Sequence, residues 1–227
     1  MKLIGKIFIS GQIKAETGLH IGGSKIILDI GGIDLNVIKT VEGVPFIPGS
    51  SLKGKLRSLL ARESGSVDVN RDSEVIKEIF GDAPTKENNQ TGKITRLLVR
   101  DALINEDIKS KLINREGEFS ELEFDYTETK WGNTIDRKSG TAQHPRQLER
   151  VPAGSLFDFE LVYNEYDDNK TDAHLTEIRK AMRLLEDDYL GGSGSRGCGK
   201  IIFENVKYER KTMDIYETTN VREPYTQ

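Results

Sequence analysis

Apolar residues along this chain fall into short, separated blocks with two different periods. Ile7, Ile9, Ile13 and Ala15 alternate with more polar neighbours between Lys6 and Glu16, a period of two that predicts a half-buried strand. Phe157, Phe159, Leu161 and Tyr163 repeat that alternation, and residues 94–103 and 201–208 read as two further strands. Helical spacing governs two other blocks. Leu52, Leu56, Leu59 and Leu60 fall at i, i+4, i+7 and i+8 over residues 50–62. Leu175, Ile178, Met182, Leu185 and Tyr189 make a second stripe that Thr171 caps and Gly191 ends. Shorter helices are expected over 73–80, starting near Asp72 or Ser73 and stopping at Gly81, and around 106–112. With residues 17–49 and 105–152 set aside as insertions, the order is β-α-β-β-α-β, an α+β chain of the ferredoxin-like pattern.

That pattern predicts one domain: a core over 1–16, 50–104 and 153–210, a Gly- and Ile-rich lid insertion over 17–49, a second insertion over 105–152, and a polar tail over 211–227. The polar run 82–92 predicts a mobile loop and the tail a loose one. The proportions, 36% hydrophobic and 31% charged over 227 residues, are those of a soluble globular protein. No apolar run approaches a membrane span and no signal peptide opens the chain, so no membrane partner is expected. The single cysteine, Cys198, excludes an intrachain disulfide and suits a reducing cytoplasm; with only His20, His144 and His174 beside it, a structural zinc site is disfavoured. A net charge of −4 argues against a generic nucleic-acid binder. Its distribution changes that picture, because residues 1–60 hold eight Lys or Arg against four Asp or Glu.

Three of those eight cations follow closely on Pro45 and Pro48, which stiffen the approach to a turn at Gly49 and a helix that Ser50 or Ser51 can cap. Lys53 and Arg57 share one face with Lys55 beside them, which at a helix N-terminus makes a candidate phosphate site; solvated surface cations are the competing reading. Two stretches approach the nucleotide-binding pattern G-x-x-x-x-G-K-[ST]. In the first, from Gly49, Leu56 replaces the hydroxyl that would hold magnesium. In the second, from Gly194, Ile201 replaces it and the order runs from helix to strand, so NTP hydrolysis is disfavoured. The glycines of 191–200 still allow close approach to an anion, with Ser193, Ser195 and Arg196 around Gly194 as donors; a mobile connector is the alternative.

Three more positions stand out. Asp34 lies in the Gly-rich run IGGID, where catalysis competes with an ordinary turn role. His20, between Leu19 and Ile21, fits a general base, a phosphate donor or a satisfied core histidine. Arg146, Gln147 and Arg150 with Arg137 and Lys138 form a second basic region, or else a salt-bridged surface with Asp136 and Glu149. The aromatic signature of an RRM is missing.

In order along the chain, TGLHIGG (17–23), IGGID (30–34), IPGSSLKGKLRSLLA (47–61), NTIDR (133–137), HPRQLER (144–150) and LLEDDYLGGSGSRGCGK (184–200) resemble one family. It is the repeated backbone subunit of type III-A CRISPR effector complexes, the third Csm subunit of the RAMP superfamily. The resemblance implies a ferredoxin-like core with a lid and a thumb drawn from 125–150, stacked as a filament along a guide RNA. It implies cleavage of paired target RNA at regular intervals, dependent on Asp34 and on a divalent metal, magnesium or manganese, held by Asp34. Lys53, Lys55 and Arg57 and the loop Ser193, Gly194, Ser195 and Arg196 correspond to guide-backbone contacts. His20, Ser50, Ser51, Asn133, Arg137, Arg146, Gln147 and Arg150 complete the implied RNA-binding set. The implied partners are guide RNA, target RNA, further copies of the chain and the other subunits of a cytoplasmic complex. Two departures are visible: Leu35-Asn36 where the family often has Ser-Pro, and Trp131-Gly132 where an aromatic-Glu pair is usual. A non-catalytic RNA-binding scaffold, and a metal-independent guide-processing ribonuclease using His20, are the alternatives.

Overall fold

The computed structural model describes residues 1–23, 35–82, 93–218 and 221–226. In chain order the strands are β1 (Leu3–Ala15), β2 (Phe46–Ile47), β3 (Leu97–Val99), β4 (Ala102–Ile104), β5 (Glu128–Ile135), β6 (Ala142–Arg150), β7 (Leu156–Tyr166), β8 (Ile201–Thr212) and β9 (Glu223–Pro224). The helices are α1 (Gly49–Glu63), α2 (Glu74–Phe80), α3 (Glu106–Asn114), α4 (Thr171–Glu186) and α5 (Met213–Thr218). The main sheet runs β2-β4-β7-β1-β8-β9, with β3 also on β7. β1 is antiparallel to both neighbours, Ile9 lying opposite Leu161 on β7 and Tyr208 on β8. The order β8-β1-β7 followed by β3 and β4 is that of the ferredoxin-like sheet the periodicity predicts.

Period-two alternation sends Ile7, Ile9 and Ile13 to one face, each fully buried, where Leu52, Leu56 and Leu60 of α1 and Leu175, Ile178 and Leu185 of α4 meet them. Each such side chain contributes about 1.5–3 kcal/mol by leaving water, so this layer dominates stability.

Several local expectations change. The strand expected over 94–103 is two, interrupted at Arg100 and Asp101. The interruption frees Asp101 to accept the Gly49 N–H on Oδ1 at 2.7 Å. Neither Ser50 nor Ser51 caps α1: the helix begins one residue earlier, behind Pro48, with no side-chain cap of its own. A carboxylate from the break between β3 and β4 suits the positive helix end better than a hydroxyl. Gly49 is required there, since a Cβ would stand 2.2 Å from the Val99 carbonyl oxygen. Likewise Thr171 is the buried first residue of α4 behind Lys170, and Tyr189 lies beyond the helix, which ends at Glu186. Ser73 does cap α2, accepting from the Ile76 N–H at 3.4 Å, and Gly81 stops it at φ 92°.

The tail, expected to be loose, is docked. β9 pairs with Glu209 and Arg210 of β8, Arg222 pairs with Glu160 at 2.7 Å over the Phe8 ring, and the Tyr225 hydroxyl donates to Asp172 at 2.7 Å. Its polar composition concealed this because the partners are charges on the sheet and on α4. The loop expected over 82–92 falls, apart from Asp82, outside the described residues. No helix among the described residues is long and apolar enough to cross a membrane.

Candidate nucleic-acid interface

β5 and β6 form a separate two-stranded sheet inside the second insertion, paired from Glu128–Arg150 to Ile135–Ala142 with a bulge between Gly132 and Thr134. At its tip Asp136 Oδ1 accepts from the Ser139 N–H, the Ser139 hydroxyl and the Lys138 N–H. These bonds, those from Ser139 first, hold the Asp136 carboxyl below the usual carboxylate range. The distal hairpin is exposed, Trp131 at 60% and Ile135 at 67%. A two-stranded ribbon is marginal by itself in water, so this hairpin depends on its base.

Three segments meet at that base. Leu19 bridges Val151, Leu35 bridges Leu148, and the Glu149 N–H donates to the Leu35 carbonyl at 3.0 Å. The loop after α4 is tied in from the other side: Gly192 N–H donates to His20 O at 2.7 Å, and Gly199 N–H to Gly18 O at 3.0 Å. Glu149 is buried, its carboxylate accepting from Lys39 Nζ at 2.6 Å, the Thr127 hydroxyl at 2.7 Å and the Val37 N–H at 2.9 Å. His20 is buried beside it with Nδ1 2.6 Å from the Glu149 carbonyl oxygen, which can only accept, so Nδ1 carries a proton.

Between hairpin and loop lies an open cleft of about 480 Å³. Leu35, Trp131, Ile135 and Leu148 supply its apolar wall. Lys130, Arg146 and Arg196 bring positive charge, beside Asn133 and Ser193. Lys130 Nζ donates to the Arg196 carbonyl at 2.8 Å and joins the two sides. An apolar wall with an exposed indole and three cations suits a nucleobase attached to phosphates.

The other sequence-derived positions sort around this cleft. Arg137 is exposed in the hairpin turn, and Arg146 donates to the Thr134 hydroxyl at 3.3 Å across the strands. Gln147 stands half-buried opposite Trp131. Arg150 pairs with Glu128 at 2.6 Å and covers Gly18, where a Cβ would overlap its side chain at 2.3 Å. Ser193 adopts a left-handed φ of 59°, Gly194 lies against the Tyr189 ring, and Ser195 and Arg196 are exposed.

The cations of α1 do not converge as expected. Lys53 donates to the Thr95 hydroxyl at 2.7 Å, its pKa lowered by burial and then by Arg57. Arg57 binds buried Asp72 at 2.7 Å and the Gly81 carbonyl at 3.1 Å. Lys55 turns the other way, to Asp188 at 3.0 Å, with its ammonium 3.8 Å from the Tyr189 ring centre. It therefore shares a neighbour with the 193–196 loop, while Lys53 and Arg57 brace the connection to β3. Nor is the first N–H of α1 open to a phosphate, because Asp101 already takes it.

Asp34 lies outside the described residues; Leu35, the residue after it, lines the cleft. Sequence reasoning missed the burial of Glu149 and the parts played by Lys39, Thr127 and Lys130. Lys39 and Val37 are 110 and 112 residues from Glu149 along the chain, so no local pattern announces that joint.

The chain is thus an α+β protein whose ferredoxin-like sheet carries a hairpin insertion and a Gly-rich loop that meet at one basic cleft. The profile described as the RAMP superfamily matches residues 12–203, and the chain belongs to that superfamily. It is 44% identical over 230 residues to the CRISPR system Cms endoribonuclease Csm3 of Streptococcus thermophilus, covering 95% of this chain and 98% of that protein. The protein of the same name from Methanocaldococcus jannaschii is 41% identical over 229 residues, covering 96% and 86%. Among solved structures, a chain of the crystal structure of a Csm3-Csm4 subcomplex in the type III-A CRISPR-Cas interference complex superposes with a TM-score of 0.61 at 31% identity, covering 100% of this chain and 92% of that one. The Methanopyrus kandleri Csm3 crystal structure, at 21% identity and a TM-score of 0.64 over 97% and 81%, shares the fold.

Proposed function

We propose that this chain is the guide-RNA-binding backbone subunit of a cytoplasmic type III-A CRISPR interference complex and its target-cleaving endoribonuclease. The observation that carries the reading is the near full-length similarity to Csm3 endoribonucleases, at 44% identity over 95% of the chain. The guide and the paired target RNA run along stacked copies, with other Csm subunits completing the assembly. The cleft between hairpin and loop supports this reading, since it gathers Asn133, Arg146, Ser193 and Arg196 with Leu35.

In this mechanism the hairpin splays one nucleotide of the target. That geometry lines up the ribose 2′-OH, the phosphorus and the leaving oxygen, and alignment of this kind lowers the barrier without covalent help from the protein. Asp34 would accept the 2′-OH proton, or hold the divalent cation, as the 2′-oxygen bonds to phosphorus and the P–O5′ bond breaks, the departing 5′-oxygen taking a proton from solvent. Trp131 and Ile135 offer the wedge, and Arg146 and Arg196 hold phosphate charge. Among the described residues no three His, Cys, Asp or Glu side chains gather to hold a metal ion. A site with Asp34 as the protein ligand and water and phosphate oxygens elsewhere is a chemistry magnesium accepts. When bound, the cation stabilises negative charge on the phosphate.

The assembled state gives an immediate test. Purified chain is expected to carry RNA and to form oligomers that dissociate as salt rises, because phosphate contacts release counterions. An RNA-free monomer at every salt concentration contradicts the reading.

A further inference from the structure

Glu149 is an unusual residue to bury at the foot of an exposed hairpin. It is 4% exposed, and all of its polar atoms are engaged. One carboxylate oxygen receives Lys39 and Thr127, and the other receives the Val37 N–H. Its own N–H goes to Leu35 and its carbonyl faces His20. Burial alone would push this carboxyl up, but the bonds from Lys39, Thr127 and Val37 and the Lys39 charge outweigh that and leave it below the usual range. The partners come from three separate stretches: residues 35–39, the start of the hairpin, and the 17–23 segment that lies beneath Gly192.

Packing alone does not require such an arrangement. Only the carboxylate is buried, since Lys39 reaches it from an exposed position, and a buried carboxylate left without its donors is expensive, so the fold favours the geometry in which Lys39, Thr127 and the Val37 N–H all reach it. Here that geometry fixes Leu35, which is peptide-bonded to Asp34, against the hairpin that Trp131 and Arg146 extend.

We infer that Glu149 is a positioning residue for RNA cleavage, clamping the 35–39 segment, the hairpin base and the His20 segment into one joint. This rests on the reading of Asp34 as the cleaving residue. The carboxylate does not touch the RNA. It holds Leu35, the residue that follows Asp34 in sequence, in a fixed relation to the hairpin that meets the nucleotide.

The test uses the guide-loaded complex, with target binding and single-turnover cleavage measured separately. Glu149→Gln keeps the size of the side chain but turns an NH2 group toward a donor. Cleavage is expected to slow by about 10- to 100-fold, the scale of an ångström-sized misplacement, while target affinity stays within about twofold. Backbone hydrogen exchange over 35–39 rises in the same variant. Thr127→Val removes one donor with little change of shape and gives a smaller loss of rate in the same direction. If Glu149→Gln does not assemble, Thr127→Val decides by itself. Wild-type cleavage rates in either assembled variant overturn the inference. Asp34→Ala run alongside separates the two readings. If it is inactive while Glu149→Gln cleaves normally, only the joint is wrong; if it cleaves, the Asp34 reading falls and the joint with it.

Discussion

Replacing Asp34 with Ala in the guide-loaded complex is expected to abolish cleavage of complementary RNA and to leave guide content and assembly at wild-type levels. Losing a carboxylate that takes a proton or orients a metal removes about 10²- to 10⁴-fold in rate. Binding is spared for an electrostatic reason. Affinity for RNA comes from cations meeting phosphates, and removing an anion from that surface weakens none of those contacts. Denaturing gels of labelled target report the first quantity, and extraction of guide from the purified complex reports the second. Undiminished cleavage by the assembled variant would remove Asp34 from the mechanism; loss of guide would make its role structural.

Gly191→Ala is the second large effect. Gly191 has φ +79°, and an added Cβ would stand 2.2 Å from the His20 carbonyl oxygen, a backbone atom that cannot swing aside. The left-handed conformation costs a non-glycine residue about 1–2 kcal/mol. Relieving the contact shifts the loop and breaks the Gly192–His20 hydrogen bond, about 1 kcal/mol more. Melting temperature falls by roughly 2–4 °C per kcal/mol for a chain of this length, so a drop of about 5–10 °C is expected. Guide retention falls too, because Ser193 and Arg196 ride on the displaced loop. Gly65→Ala is the control: its φ is +73°, but nothing lies within 4 Å of an added Cβ, so it carries the conformational cost without the collision. Equal melting temperatures for the two variants would mean that the loop does not rest on His20.

How much of this was legible in the sequence follows from the range of the interactions involved. Strands and helices follow from local periods, so Ile7, Ile9 and Ile13 and the leucines of α1 announced the ferredoxin-like core directly. Capping failed wherever the partner was distant: Asp101 reaches Gly49 from 52 residues away, and a Ser following Gly49 is the wrong clue. Period also placed Lys53, Lys55 and Arg57 on the helix without saying what each would meet. Asp72, Thr95 and Asp188, far along the chain, divided them. The cleft was half legible. Its Gly-rich loop and basic hairpin stood out as motifs, but Glu149 looked like one more charge between Leu148 and Arg150. Only the folded chain brings Val37, Lys39 and Thr127 to it. The tail was misjudged because polar composition reads as loose when its charged partners lie elsewhere.

The most direct measurement maps every cut in a target RNA paired along the full guide, using the assembled complex with a divalent metal and, in parallel, with EDTA. A repeated backbone subunit that cleaves gives cuts at one regular interval, one per exposed copy, all lost in EDTA. An intact target, irregular cuts, or a ladder unchanged by EDTA would contradict a metal-dependent endoribonuclease repeated along the guide.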